Sequence, residues 1–225
     1  MPKKPPTKEE LQAEVARARL SASIDTFRLN PPPKRLNRYT PVELPVTVDL
    51  RRRIGPPPVK HISQTRPEGA PRDYTDLGFC GPTCMAMIAR AYHLGDQFSD
   101  AELVMRLSRI AGADDGAGTD RTGLYRMARH LRLKSLDWNG EATFWMARQI
   151  ELGHYVMAAG NPYVLPPLFQ RSRYGAHFIV VDGMDREGNF LMKNPWPDGM
   201  HAVAPKQMWQ FLMTHEHPYQ YAFWR

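Results

Sequence analysis

The reading of this chain turns on Phe79-Cys80-Gly81-Pro82-Thr83-Cys84-Met85. Gly-Pro followed by Met85, Met87, Ile88, Ala91 and Tyr92 predicts a helix that begins beside Cys80 and is closed by Gly95. A thiol attacks a carbonyl well only as thiolate, and a helix N-terminus together with a nearby imidazole lowers its pKa from about 8.5. Gly81 is expected to let a substrate backbone approach the sulfur, and Pro82 sits in the first turn, where its missing N–H costs nothing. A lone cysteine is equally an ordinary small buried residue, so a second element has to support the nucleophile reading.

That element is Gly175-Ala-His177-Phe-Ile-Val-Val-Asp182-Gly183, in which small residues deliver a histidine onto a buried strand. Asp185-Arg-Glu-Gly188 then predicts a hairpin turn. Seventeen residues after His177 comes Lys193-Asn194-Pro195-Trp196. An antiparallel return brings Asn194 beside the imidazole, where an amide or carboxylate fixes the tautomer and orientation of a catalytic base. Asn before Pro also reads simply as a turn residue.

Cys-Gly-Pro-Thr, then Ala-His-Phe-Ile-Val-Val-Asp-Gly, then Asn-Pro-Trp, in that order, resemble the papain-like cysteine peptidase superfamily. They are most similar to the bacteriocin-leader-processing, double-glycine type, over about residues 61–200. The resemblance implies Cys80 as nucleophile and His177 as base. The third residue in that type is usually Asp before Pro, whereas Asn194 matches papain-like enzymes proper. A glutamine upstream of the nucleophile commonly supplies an oxyanion-hole donor in the superfamily, and Gln64 is the candidate. It lies sixteen residues before Cys80, so the stretch from Arg66 to Asp76 must loop out. Read by itself, Gln64 is a polar loop residue.

Around these motifs the chain divides in two. Residues 1–60 carry 13 Lys or Arg against 6 Asp or Glu, and residues 61–225 carry 17 of each, so the whole net charge of +7 lies in the N-terminal arm. Thirteen of the 21 prolines fall in residues 1–71, which limits regular structure there. The arm is expected to hold one short helix, opened by the capping box Thr7-Lys-Glu-Glu10 and running to about Ala22, and an alternating edge strand through Val42, Leu44, Val46 and Val48. Arg51-Arg52-Arg53 reads as a solvated run.

Residues 61–225 are expected to form the hydrolase domain. After the Cys80 helix come a helix capped by Ser99-Asp-Ala-Glu102, a third around Leu124, Met127, Ala128 and Leu131, and a fourth over Ala142–Leu152. The period then changes to strands at Tyr155–Ala159, Phe178–Val181, Phe190–Met192 and Tyr219–Trp224, with a helix over Pro205–Met213 before the last. Helices first and an antiparallel sheet second give an α+β class, papain-like in the light of the resemblance, with the nucleophile helix in an N-terminal helical lobe packed on a C-terminal sheet. The loop Asn161–Gly175, with Tyr163, Phe169 and Tyr174, is expected to border the cleft.

Other chemistries are less well supplied. A Cys80–Cys84 disulfide would close almost no loop, and Cys84 reads as helix packing in preference to a resolving thiol. No zinc-like spacing accompanies the cysteines, and Asp114, Asp115 and Asp120 lack the distal Glu of a calcium loop, so no metal and no cofactor is expected. His154, His201, His215 and His217 have no paired nucleophile. The neutral domain does not call for nucleic acid, no apolar run is long enough to span a membrane, and the start does not read as a cleavable signal.

The expected activity is cleavage of a peptide bond in a protein or peptide through a Cys80 thioester. The same residues also fit a peptidoglycan or isopeptide amidase, or a papain-like binding module without catalysis. A signal-less hydrolase with a basic Pro-rich arm resembles secreted bacterial effectors and antibacterial toxins. Synthesis in the cytoplasm is expected from the start of the chain; the resemblance implies delivery into a target cell and a neutralising immunity protein, and the arm's helix reads as an element for delivery or for binding a secretion adaptor.

Overall fold

The computed structural model describes residues 53–70, 78–113, 118–140, 142–165, 176–196, 199–213 and 219–225. The arm helix, the strand through Val42–Val48, Asp114 and Asp115, Phe169 and Tyr174, the side chain of Tyr163, and His215 and His217 lie outside them.

Helix α1, Cys80–Ala91, buries every residue from Gly81 to Ala89. A helix apolar all round belongs in the middle of a core. Met85, Met87 and Ile88 are fully buried, each side chain contributing roughly 1.5–3 kcal/mol. The helix ends at Ala91, and the chain turns at His93, whose φ of 56° lies in the left-handed region, before reaching Gly95. Arg90 secures that turn, donating to the carbonyls of Gly95 and Phe98 and pairing with buried Asp100.

Helix α2, Asp100–Ala111, has the expected capping box between Ser99 and Glu102 and closes on Gly112 in the left-handed region. Helix α3, Arg121–His130, is capped by Asp120, whose Oδ1 accepts the Gly123 N–H at 2.6 Å. Asp120, weighed as a metal ligand, thus serves a helix end. Gly123 is needed because a Cβ there would lie 2.8 Å from the Ala111 carbonyl oxygen.

The six strands are β1 (Lys134–Asn139), β2 (Tyr155–Gly160), β3 (His177–Met184), β4 (Phe190–Asn194), β5 (Gly199–Val203) and β6 (Tyr219–Trp224). They form one antiparallel sheet in the order β1-β6-β2-β3-β4-β5. Alternate residues face opposite sides of a strand. Tyr155, Met157, Ala159, Phe178, Val180, Tyr221 and Phe223 accordingly share one core with α1, α2 and α3. Helices α4 (Thr143–Glu151) and α5 (Pro205–Met213) also pack on the sheet, with buried Val156, Ala158, Ile179 and Val181 on the opposite face from that core. Gly160 admits α5, since a Cβ there would lie 2.4 Å from the Phe211 carbonyl oxygen.

Residues 53–64 lead along this framework towards the site. Ile54 bridges Met184, Tyr155 donates its hydroxyl to the Pro57 carbonyl at 2.9 Å, and the Val59 N–H donates to Asp182 Oδ2 at 2.9 Å. Asp182 stands where the β3–β4 register shifts and is fully buried. Arg53 donates to its carbonyl and carboxylate. Desolvation raises the Asp182 carboxyl, with Arg53 opposing that shift, and burial lowers Lys193 on β4.

Candidate active site

Cys80 is the first residue of α1, partly exposed, while the residues that follow it are buried. The helix's own first turn carries no acidic side chain, and the positive end of a helix favours a thiolate. Cys84 has the opposite character: burial pushes its thiol well up, and the neighbouring Cys80 adds to the shift. The expected proximity of Gly81 to a substrate has another explanation. The Thr119 side chain occupies that space, with Cβ and Oγ1 both 2.7 Å from where a Gly81 Cβ would stand.

Helix α1 packs on β3, the strand that His177 opens. His177 is 3% exposed and Asn194, at the end of β4, is fully buried. The hairpin closes as the spacing predicts, with His177 Nε2 2.9 Å from Asn194 Oδ1. The amide orientation and the tautomer follow from one further bond. The Trp196 N–H donates to the same Asn194 atom at 3.1 Å, and a backbone N–H requires an acceptor there, so that atom is the oxygen. His177 Nε2 must then carry a hydrogen, and in the neutral ring the lone pair resides on Nδ1. The Trp196 ring stands edge-on to the imidazole at 6.2 Å.

Gln64 is 2% exposed, and its N–H donates to the Pro195 carbonyl at 2.6 Å. The sixteen-residue separation from Cys80 does not carry it away from the site: it is bound to the same turn as Asn194. Part of the intervening loop folds on α2, where the Ala101 N–H donates to the Glu68 carbonyl at 2.9 Å and Lys60 bridges Glu68 and Asp100.

A model of the Peptidase_C39-like family matches residues 57–212, well over half of the chain. The chain belongs to the Peptidase_C39-like family. A solved protein described as a C39-like peptidase from Bacillus anthracis is similar at 15% identity and a TM-score of 0.52, covering 75% of this chain and 96% of that one. A double-glycine-motif protease from an AMS/PCAT transporter, solved in complex with the leader peptide, is similar at 15% identity and a TM-score of 0.50, covering 76% of this chain and 96% of that one. No curated protein matches the chain. At this identity the solved structures establish the fold: the α+β, papain-like architecture expected from the motifs is the one this C39-like chain has.

Two further residues shape the site without a motif to mark them: Thr119 packs on Gly81, and His61 grips the turn that carries Asn194. Trp196, part of the Asn-Pro-Trp motif, flanks the imidazole. Of the other histidines, His154 is stacked on Trp224 at 4.4 Å and its ring is held below its ordinary pKa by burial. Among the described residues, no group of three or more His, Cys, Asp or Glu could hold a metal ion, and no helix is long and apolar enough to cross a membrane.

Proposed function

We propose that this C39-like protein is a cysteine peptidase in which Cys80 is the nucleophile, His177 the base and Asn194 the residue that orients the base. The supporting observation is the 2.9 Å bond from His177 Nε2–H to Asn194 Oδ1, which puts the imidazole lone pair on Nδ1, in the tautomer a thiol proton requires. Cys80 Sγ gives its proton to Nδ1 and attacks the carbonyl carbon of the substrate. The developing oxyanion is held by the Cys80 backbone N–H and the side-chain amide of Gln64. The imidazolium returns the proton to the leaving amine nitrogen, the C–N bond breaks, and a thioester remains on Cys80. Water, deprotonated by His177, attacks the thioester, the C–S bond breaks and the thiol is regenerated.

A peptide or protein is the favoured substrate class, because a structurally similar protease was solved in complex with a leader peptide. The test is to incubate wild type and Cys80→Ala with a bacterial lysate and sequence new N-termini by mass spectrometry, with peptidoglycan fragments as a parallel substrate. New N-termini that appear with wild type and vanish with Cys80→Ala are expected. Cleavage that persists in Cys80→Ala would overturn the mechanism. Release from peptidoglycan alone would move the substrate class to cell-wall amides.

A further inference from the structure

We infer that His61 is a positioning residue for this reaction, holding the turn of Asn194 and the segment of Gln64 in one frame. The inference rests on the reading of Cys80, His177 and Asn194 given above. His61 Nε2 lies 2.8 Å from the Asn194 carbonyl oxygen and 2.9 Å from that of Trp196. Both partners are acceptors, so Nε2 carries the hydrogen and shares it between them whether or not the ring is charged. The carbonyl between them, that of Pro195, takes the Gln64 N–H at 2.6 Å. Three successive carbonyls of the turn are thus held by one four-residue segment, His61–Gln64.

This clamp bears on the reacting groups at both ends. Asn194 Oδ1 reaches His177 from inside the turn and is itself fixed by the Trp196 N–H. A shift of the turn changes the direction of the His177 hydrogen bond, and hence where Nδ1 points. The same shift carries the Gln64 backbone with it. Pro195 contributes no N–H to the turn, and His61 adds a donor to it from outside. The His61 bonds go to the turn, and its effect on the reaction runs through Asn194 and Gln64.

The test measures alkylation of Cys80 by iodoacetamide in the full chain, followed by intact mass, as the rate at about pH 6 relative to about pH 9, a ratio that reports thiolate maintained by the imidazole. His61→Ala is expected to lower that ratio about fivefold to tenfold, and His61→Gln, which retains an N–H donor, to stay within about twofold of wild type. If His61 acts through Asn194, the double variant His61→Ala/Asn194→Ala is no lower than Asn194→Ala alone. His61→Met fills the space without a donor and takes the place of His61→Ala in each comparison if that variant does not fold. An unaltered ratio in the donor-less variant, or losses that multiply in the double variant, would overturn the inference while wild-type Cys80 remains reactive. A wild-type Cys80 without excess reactivity at low pH would overturn the peptidase reading and this one with it.

Discussion

His177 and Asn194 meet across the adjacent strands β3 and β4, Nε2 to Oδ1 at 2.9 Å, and the Asn194 oxygen also takes the Trp196 N–H at 3.1 Å. One oxygen therefore fixes both the tautomer of the ring and its direction. Asn194→Ala removes the acceptor and is expected to lower the rate of substrate cleavage on the order of tenfold to a hundredfold. Asn194→Asp keeps an acceptor for both donors and should retain most of the activity. Equal losses in the two variants, measured as kcat on the same cleaved peptide, would contradict an orienting role.

Thr119 presses on the helix start at Gly81, which leaves no room for a Cβ. Gly81→Ala should cost about 1–3 kcal/mol of stability by overpacking and should slow Cys80 alkylation by displacing the helix start. Removing the opposing side chain in Gly81→Ala/Thr119→Gly should restore part of both. Thermal unfolding and alkylation rates of the two single variants and the double complete the cycle. Strict additivity would show that the two residues do not compete for this space.

Asp182 is fully buried against Arg53, whose side chain is 10% exposed. Desolvation raises the carboxyl, yet the Arg53 guanidinium and the Val59 N–H both favour its charged form. Removing the carboxylate leaves Arg53 and buried Lys193 without that counter-charge, and Asp182→Ala is expected to lose about 3–5 kcal/mol. Urea unfolding measures this, and a loss below about 1 kcal/mol would show that the pair contributes little.

His154 gives a pH signature. Burial holds its ring below the ordinary value of 6.5, so between that value and the depressed folded one the unfolded chain binds more protons. Stability therefore falls as pH drops through that window. Comparing the change in Tm between about pH 7.5 and pH 5 in wild type and His154→Gln isolates the effect. Wild type should lose more on acidification, and identical losses would contradict the linkage.

Much of this architecture was legible because the core obeys simple periods. Val156, Val180 and Val181 lie in strands buried throughout, and α2 carries both a Ser99 capping box and a Gly112 stop. Strands β1 and β5 were missed because they are the two edges of the sheet. In Lys134–Asn139 the apolar Leu136 and Trp138 are 47% and 40% exposed, so alternation there does not mark a buried face. Asn194 was within reach of the sequence because hairpin geometry is local. Thr119 and His61 were not, since each reaches its target through a tertiary contact between segments 38 and 133 residues apart. Gly81 carried a valid signal of close approach, but a glycine does not reveal what approaches it.

If His177 activates Cys80, the pH dependence of iodoacetamide alkylation differs between wild type and His177→Ala. Intact and peptide mass spectrometry assign the modified residue, and buried Cys84, with its raised thiol pKa, should remain unmodified in the folded protein. Wild-type Cys80 is expected to react well below the ordinary thiol range of about 8.5, and His177→Ala to move the profile up towards that range. Superimposable profiles for the two proteins would contradict activation by His177.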